Sequence, residues 1–352
     1  MSTAVRPPAV GLPGSGMVAL KHGSGGRAMR QLIRSVFLDG NDPAQVDGIG
    51  LEQLDDGAAL RLGDRWLVIT TDSHVVHPLF FPGGDIGRLA VAGTVNDLAM
   101  MGATEVLGLT CSVILEEGFP LADLQRIQGS VRATCREAGA TVVTGDTKVM
   151  GKGELDGVVL NTTGIALTDR VVSDRGMRPG DCIVVTGTVG DHGLAVLAVR
   201  NELDLDGDLR SDTAPLNGLI RLALEACGEH VVAMKDPTRG GLASALAEMA
   251  EKAGVGVLLE EERIPISPEV RSTGELLGID PLHVANEGKA VIVVHADAAE
   301  RLVAALREHP LGAAAAIVGR CTADHRGSII LDTGFGRRLV AELDGDPLPR
   351  IC

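Results

Sequence analysis

The chain of 352 residues is 45% hydrophobic but only 2% aromatic, and it carries a formal net charge of −15. This length predicts two domains of ordinary size, with enough aliphatic side chains for two cores. Because aromatic rings for stacking on bases are scarce and the charge repels phosphate backbones, we expect no nucleic-acid partner and no binding to an anionic membrane.

Six cysteines, at positions 111, 135, 182, 227, 321 and 352, are far apart in the sequence and form no Cys-x-x-Cys pair. The usual zinc spacings and a compact disulfide framework are therefore excluded, and a reducing compartment is the expected setting. The N-terminus lacks a basic region followed by an apolar stretch, and no apolar run approaches the ~20 residues of a membrane helix. We expect a soluble, cytoplasmic protein.

Residues 1–16 are rich in proline and glycine and are predicted to be a mobile arm. The glycine-rich segment His22-Gly-Ser-Gly-Gly26 then leads into a predicted helix over residues 27–37. Backbone N–H groups of such a loop can bind phosphate at a helix N-terminus. A flexible linker is an equally good interpretation, because the segment matches neither the P-loop nor the dinucleotide pattern.

Periodicity predicts alternating strands and helices through the rest of the first half. The predicted strands cover residues 55–60, 66–72, 105–115, 141–144 and 158–167, and the predicted helices cover 85–101 and 121–138. Small residues at Ala90, Gly93 and Thr94 should let the first of these helices lie close to a sheet.

Acidic side chains stand at the ends of these elements, at Asp55, Asp56, Asp72, Asp97 and Asp146. Several carboxylates, with phosphate oxygens completing the shell, suit Mg²⁺ held together with ATP. The alternative is that aspartates simply favour turns and caps. His74 and His77 point to opposite faces of an extended strand, so we predict loop residues there and no metal pair.

A turn-rich segment, residues 175–181, separates this half from a second series of elements. Strands are predicted at 182–186, 255–259, 290–295 and 315–319 with a closing pair over 328–342, and helices at 194–201, 216–227, 242–252 and 298–309. Asp236-Pro-Thr-Arg-Gly-Gly241 precedes the third of these helices, where Thr238 is a predicted N-cap and an oxyanion site is an equal alternative. Both halves should be α/β or α+β with large sheets.

The chain ends in Pro349-Arg-Ile-Cys352, behind a proline-containing run that cannot be helix or central strand. A cysteine at the last position is a thiol on a tether, stiffened by Pro347 and Pro349. A frayed end that happens to finish in cysteine is the alternative.

Several segments in this order resemble the aminoimidazole ribonucleotide synthetase (PurM-like) superfamily of ATP-dependent enzymes over nearly the whole chain. They are Asp55-Asp-Gly-Ala, Thr71-Asp-Ser, residues 93–102, Gly145-Asp-Thr, Asp236-Pro-Thr-Arg-Gly-Gly and Asn286-Glu-Gly. Within the superfamily, the glycine-rich segment at 22–26 and the terminal Pro-Arg-Ile-Cys are similar to the carbamoyl dehydratases of hydrogenase maturation, the HypE family.

The resemblance implies a two-domain α/β (α+β) architecture. Residues 17–168 would form an ATP-binding domain whose mixed sheet pairs across a homodimer, residues 175–342 a separate α/β domain, and residues 343–352 a flexible tail. It also implies the reaction: a carbamoyl group on the terminal cysteine is dehydrated with ATP to a thiocyanate, the source of cyanide ligands for nickel-iron hydrogenases.

By the same resemblance, ATP and Mg²⁺ are the cofactors. The implied metal ligands are Asp55, Asp56, Asp72, Asp97, Asp146 and Asp236. The implied nucleotide-binding residues are Gly25, Gly26, Thr71, Asn96, Thr147, Lys148, Thr238, Arg239 and Gly240. The implied catalytic residues are Cys352, Glu287 and Lys148, the last two for charge stabilisation and proton removal; a solvent-exposed lysine and a turn glutamate are the alternatives.

The implied partners are the carbamoyltransferase HypF as donor and the HypC–HypD iron scaffold as cyanide acceptor. Other ATP-using members of the superfamily, selenophosphate synthetase and thiamine monophosphate kinase, are alternatives. Neither requires a cysteine at the last position, and the first expects a reactive cysteine near the N-terminus, whereas this chain has none before Cys111. A non-catalytic thiol carrier is a third interpretation.

Overall fold

The computed structural model describes residues 17–38, 47–203, 207–343, 348 and 350–352. The predicted mobile arm at 1–16 and the prolines at 347 and 349 lie outside the described residues. Two mixed sheets, one in each half of the chain, are covered by helices, as the α/β prediction requires.

The N-terminal half follows the predicted order of strands and helices. Its helices are α1 (Gly26–Leu32), α2 (Ile86–Met100) and α3 (Leu121–Ala138). Its strands are β1 (Gly48–Ile49), β2 (Ala58–Leu62), β3 (Arg65–His74), β4 (Phe80–Phe81), β5 (Gly84–Asp85), β6 (Glu105–Glu116), β7 (Val142–Met150) and β8 (Val158–Thr168). The main sheet has the order β1-β2-β3-β8-β6-β7, in which only β6 and β7 run parallel.

The C-terminal half contains a seven-stranded sheet and five α-helices within the described residues. The helices are α4 (Asp191–Arg200), α5 (Asn217–Cys227), α6 (Gly241–Ala253), α7 (Pro268–Leu277) and α8 (Ala299–Arg307). The strands are β9 (Cys182–Val185), β10 (Val231–Lys235), β11 (Gly256–Glu260), β12 (Val291–Val294), β13 (Ala316–Thr322), β14 (Ile329–Asp332) and β15 (Arg337–Val340). Their order is β10-β12-β9-β13-β11-β14-β15, with β11 and β14 parallel.

Several local predictions were wrong in detail. The helix expected over residues 27–37 is α-helical only to Leu32 and continues as a π-helical turn, Ile33–Leu38. The strand expected at 141–144 extends to Met150, because it pairs with β6 along its whole length. Thr238 is not an N-cap: Gly240 holds that position with φ 77°, a conformation that glycine adopts without steric cost.

Helix α2 is buried along nearly its whole length. Asp85 caps its N-terminus, since the carboxylate accepts hydrogen bonds from the backbone N–H groups of Gly87 (2.8 Å) and Arg88 (3.1 Å). Its small residues allow close packing as predicted: a Cβ at Gly93 would lie 3.0 Å from His74 Cε1 on β3. Its C-terminal end packs in the core of the second half, so this helix joins both domains.

His74 was predicted to be a loop residue. It is instead the last residue of β3. The described part of the tail also differs from a free end, since Leu348 and Ile351 are buried in a core shared by α2, β6 and α4. Among the described residues, no helix is both long enough and apolar enough to cross a membrane.

Candidate active site

A polar cavity of about 270 Å³ lies where the two halves of the chain meet. Twelve of the residues singled out by the sequence line it: Gly25, Gly26, Asp55, Asp56, Thr71, Asp72, Asp97, Asp236, Thr238, Arg239, Glu287 and Cys352. They come from the start of α1, the segment before β2, β3, α2, the segment between β10 and α6, the segment before β12, and the chain terminus. The fold therefore assembles residues that are up to about three hundred positions apart in sequence.

The carboxylates in this cavity crowd one another. Burial, followed by the charges of Asp236, Asp72 and Asp56, raises the pKa of Asp97 well above its usual value. Thr70 Oγ1 donates to Asp97 Oδ2 at 2.8 Å and opposes this shift. Burial together with neighbouring charges, of which Asp56 comes first, raises the pKa of Asp236 to about 8. The cluster thus holds more negative charge than its surroundings neutralise.

Glu287 adds a further buried carboxyl group to this acidic cluster. Its side chain is 3% exposed, and its Oε1 is buried without a hydrogen-bond partner. Burial, then the charges of Asp236, Asp72 and Asp212, raises the pKa of Glu287 well above its usual value, and Arg239 opposes the shift. This carboxyl group therefore takes up a proton more readily than an exposed glutamate does.

The donors fit a magnesium ion that is bound together with phosphates, rather than a preformed metal cage. Within the described ranges, no group of three or more His, Cys, Asp or Glu side chains is arranged to hold a metal ion unaided. Asp56 Oδ2 is nevertheless a buried acceptor without a partner, and it belongs to the same repelling cluster. A cation coordinated by both these carboxylates and nucleotide oxygens would reduce the repulsion within the cluster and give Asp56 Oδ2 a partner.

A buried ion-pair network supports one side of the cavity. Lys235 pairs with Asp56, while Lys252 pairs with Asp174 at 2.5 Å. Arg30 of α1 pairs with Glu248 at 2.8 Å and with Glu342. None of the basic residues in this network was predicted as functional; the adjacency of Lys235 to Asp236 is the only signal that the sequence offers.

Arg239 links the glycine-rich loop, the acidic cluster and the chain terminus. Its Nη1 donates to the carbonyl oxygen of Gly23 at 3.2 Å. A Cβ at Gly25, where φ is +80°, would lie 2.8 Å from Arg239 Cβ, so only glycine fits there. Cys352 is the largest cause of the raised pKa of the Arg239 guanidinium, which means that a negative charge of the terminal residue lies close to it.

The last three residues lie along the segment that follows β3. The backbone N–H of Val75 donates to the terminal oxygen of Cys352, and that of His77 to the carbonyl of Arg350, both at 3.2 Å. Arg200 Nη2 donates to the same Arg350 carbonyl at 2.8 Å. The terminal cysteine is thereby held against the cavity, close to the acidic cluster.

Five residues named from the sequence do not line this cavity. Asn96 is buried behind it, where its amide donates to the carbonyls of Ala214 and Glu287 and its oxygen accepts from Leu216 N–H. Its polar atoms are therefore used in joining the two domains. Gly240 caps α6, and Asp146, Thr147 and Lys148 are exposed on the edge strand β7.

One further cavity neighbour was dismissed by sequence reasoning. His74 is 1% exposed, and its Nε2 lies 3.4 Å from Asp72 Oδ2. Both ring nitrogens are buried without a hydrogen-bond partner, and burial lowers the pKa of this imidazole. The sequence predicted no metal pair of His74 with His77, and no local pattern indicated that Asp72 is the neighbour of the His74 imidazole.

Comparison with known proteins gives the class of this fold and site. Residues 54–168 match the N-terminal domain of AIR synthase related proteins, and residues 178–332 match the C-terminal domain of the same family. The superfamily predicted from the motifs is therefore confirmed, together with its two-domain α/β fold.

Individual similar proteins identify the family within this superfamily. A carbamoyl dehydratase HypE of Rhizobium leguminosarum bv. viciae is 47% identical, and the alignment covers 96% of each chain. A crystal structure of a HypE–HypF complex matches with a TM-score of 0.82 at 43% identity, covering 89% of this chain and 99% of that one. A crystal structure of HypE in complex with ATP matches with a TM-score of 0.78 at 42% identity, covering 96% and 100%. The chain belongs to the HypE family of carbamoyl dehydratases.

Proposed function

We propose that this protein uses ATP to convert a thiocarboxamide on Cys352 into a thiocyanate, which supplies cyanide ligands for nickel-iron hydrogenases. The observation that carries the proposal is the position of the terminal cysteine, which lines the same cavity as the acidic cluster and Glu287. Selenophosphate synthesis and thiamine monophosphate phosphorylation are not favoured, because neither reaction gives a terminal cysteine a role.

ATP would lie between the glycine-rich loop and the second-half motif. Gly25 and Gly26 can present backbone N–H groups, Thr71 and Thr238 hydroxyl groups, and Arg239 a guanidinium to phosphate oxygens. Gly240 is the N-cap of α6, whose N-terminus adds a favourable dipole. The ATP complex of a relative supports nucleotide binding. Asn96 would act indirectly, through the backbone that it fixes.

Mg²⁺ would be held by the aspartates of the cluster, Asp55, Asp56, Asp72, Asp97 and Asp236, together with phosphate oxygens. When bound, the ion would neutralise charge on the transferred phosphoryl group. The carboxylates themselves hold the ion's position and, through their mutual repulsion, favour the filled state of the site.

The chemistry requires the carboxamide oxygen to leave, which it does poorly by itself. In the proposed reaction the oxygen attacks the γ-phosphorus and ADP departs. Two N–H protons are then removed, the C–O bond breaks with loss of phosphate, and the carbon–nitrogen triple bond forms on sulfur. Glu287 is the proposed proton acceptor, because a carboxylate with a raised pKa is a stronger base once ionised.

Lys148, Asp146 and Thr147 would act from a second copy of the chain. Strand β7 carries them at the edge of the sheet and exposes the apolar side chains of Val143 and Val149. Pairing of this edge with its copy in a homodimer would cover these side chains and bring the three polar residues to a shared site. Lys148 would then stabilise negative charge on phosphate.

The remaining proposals concern organisation and partners. Residues 17–168 would be the ATP-binding domain, 175–342 the second domain, and 343–352 a tail that also reaches outward to be loaded. HypF is the proposed carbamoyl donor, supported by the complex of a relative with a protein of that name. The HypC–HypD scaffold is the proposed acceptor and the cytoplasm the proposed compartment.

ATP turnover by the purified protein tests this proposal. We expect phosphate release to require a carbamoylated Cys352 and to be lost in Cys352→Ala, while the ATP affinity of that variant stays unchanged. A pure thiol carrier would hydrolyse no ATP under either condition, and turnover that ignores the state of the tail would reject the tethered substrate.

A further inference from the structure

We propose that His192 is the positioning residue that holds the chain terminus at the active site, through the carbonyl group immediately before Cys352. This inference deepens the proposed function and rests on it for its catalytic consequence. The contact itself can be tested without ATP or a carbamoyl donor.

The first observation is the contact. His192 lies in the first turn of α4 and is fully buried, and its Nε2 lies 2.9 Å from the carbonyl oxygen of Ile351. A carbonyl oxygen only accepts hydrogen bonds, so Nε2 must carry the proton. The imidazole therefore donates to the peptide group that joins Ile351 to Cys352.

The second observation is that the surroundings fix this tautomer. Ser211 Oγ lies 2.8 Å from His192 Nδ1, and Ser211 Oγ accepts a hydrogen bond from the Thr213 backbone N–H at 3.1 Å. Thr213 Oγ1 also lies 2.6 Å from Ser211 Oγ; when Thr213 donates this bond, the Ser211 hydroxyl hydrogen points to Nδ1, which accepts it when the ring is neutral. Burial lowers the pKa of His192, which keeps the ring neutral. The backbone of Ser211 is tied to Pro82 by a further hydrogen bond of 2.8 Å.

The third observation is that the first turn of α4 is shaped to receive the tail. Gly193, the next residue, has no Cβ; one built there would lie 3.2 Å from Leu348 Cδ1 and 2.5 Å from Val284 Cγ1. Phe81 packs edge-on against the His192 ring with 5.4 Å between the centroids. The helix therefore offers an apolar surface for Leu348 and Ile351 around a single hydrogen-bond donor.

These contacts favour a docked position of the tail that is held reversibly; we call this set of contacts the clamp. Backbone N–H groups of Val75 and His77 and the partly exposed Arg200 also donate to the last three residues. The Arg350 side chain donates to the Val75 carbonyl and pairs with Asp156. Among these described contacts, that of His192 comes from a fully buried side-chain donor to the residue next to the reacting thiol. Losing one such donor leaves the carbonyl unsatisfied in the docked state alone, so it shifts the tail toward the undocked state.

The test compares His192→Phe with His192→Gln in the full-length protein. Phenylalanine keeps a ring beside Phe81 but has no donor, whereas glutamine keeps an N–H. Alkylation of Cys352, followed by mass spectrometry of the C-terminal peptide, should be about fivefold to tenfold faster in His192→Phe and close to wild type in His192→Gln. His295→Phe, a change outside the tail contacts, serves as the control and should leave the rate unchanged.

Single-turnover dehydration of a carbamoylated tail should be slower in His192→Phe, with unchanged ATP affinity. Should His192→Phe fail to fold, Ser211→Ala provides the second route, since it removes the group that fixes the tautomer and should also speed alkylation. Equal alkylation rates in wild type and the folded variants, or equal acceleration by phenylalanine and glutamine, would overturn the inference. Faster alkylation without any nitrile formation in the wild type would instead reject the proposed function and leave the clamp intact.

Discussion

The carboxylates of the cavity make the stability of the ligand-free protein depend on pH. The pKa of Asp236 is raised in the folded state to about 8. A carboxyl group whose folded pKa exceeds its unfolded value contributes stability at low pH, and this contribution is lost as pH rises from about 4 to about 8.

We therefore predict that the free energy of unfolding of the ligand-free protein falls between pH 5 and pH 8. Asp236→Asn should flatten this decline and raise stability at pH 8, by an amount of the order of a few kcal/mol. Urea unfolding across this pH range measures both effects. Asp146→Asn is the matched control, because this exposed aspartate has a lowered pKa beside Lys148 and should change nothing in that window. If the unfolding free energy of Asp236→Asn fell with pH as steeply as that of the wild type, the inferred crowding of negative charge would be contradicted.

Asn96 gives a second prediction at this scale. Its three hydrogen bonds join α2 to the second domain, so Asn96→Ala should lower the free energy of unfolding by about 3 kcal/mol while ATP affinity is retained. Thr71→Val should do the reverse, weakening ATP binding with little loss of stability. Calorimetry and urea titration of both variants separate the roles. A loss of ATP affinity in folded Asn96→Ala would restore the direct contact that the sequence predicted.

Motifs identified the acidic residues of the site, but they did not identify their partners. Asp72 and Asp236 stand in short, recognisable segments at the ends of strands, so the sequence predicted them. Lys252 and Asp174 meet only because α6 packs against the segment between the two sheets. Long-range pairing of this kind depends on tertiary packing and leaves no local pattern.

Among the secondary-structure elements, helix α2 was predicted from sequence periodicity, and its local features explain why. Its N-cap is a local signal, and its small residues match the close approach to β3. By contrast, β10 and α7 were not predicted. The pairing of β10 depends on β12, which lies far along the chain, and α7 contains Ser272, Thr273 and Gly274, which are poor helix formers. Packing against neighbouring elements decides such segments.

The exposed edge strand β7 gives a prediction about the oligomeric state of the protein. A double change of Val143 and Val149 to glutamate places two charges on one face of the exposed edge, and should convert the proposed homodimer to a monomer. ATP turnover should fall with it, since Lys148 lies on the same strand. Light scattering and turnover measure the two outcomes. Leu276→Glu, an equally exposed change on α7, should affect neither; a double variant that stays dimeric would exclude β7 as the interface.

For the whole molecule, the ion pair between Lys252 and Asp174 ties α6 to the segment that joins the two domains. Asp174 is fully buried, so in Lys252→Met the remaining ion-pair partner of Asp174 among the described residues is Lys235 at 3.9 Å. The expected loss is about 2–4 kcal/mol of unfolding free energy, measured in urea. Asp174→Asn combined with Lys252→Met should recover much of it. No recovery in the double variant would show that the loss arises elsewhere.

In the proposed reaction the site converts a group carried on Cys352. The mass of the C-terminal peptide, after carbamoylation of Cys352 and incubation with Mg²⁺ and ATP, measures this conversion. We predict that the modified peptide loses the mass of one water molecule, that the loss requires ATP, and that Glu287→Gln prevents it although the carbamoyl group is still present. A carbamoylated peptide whose mass stays unchanged in the wild-type protein with ATP would show that the site does not carry out this dehydration.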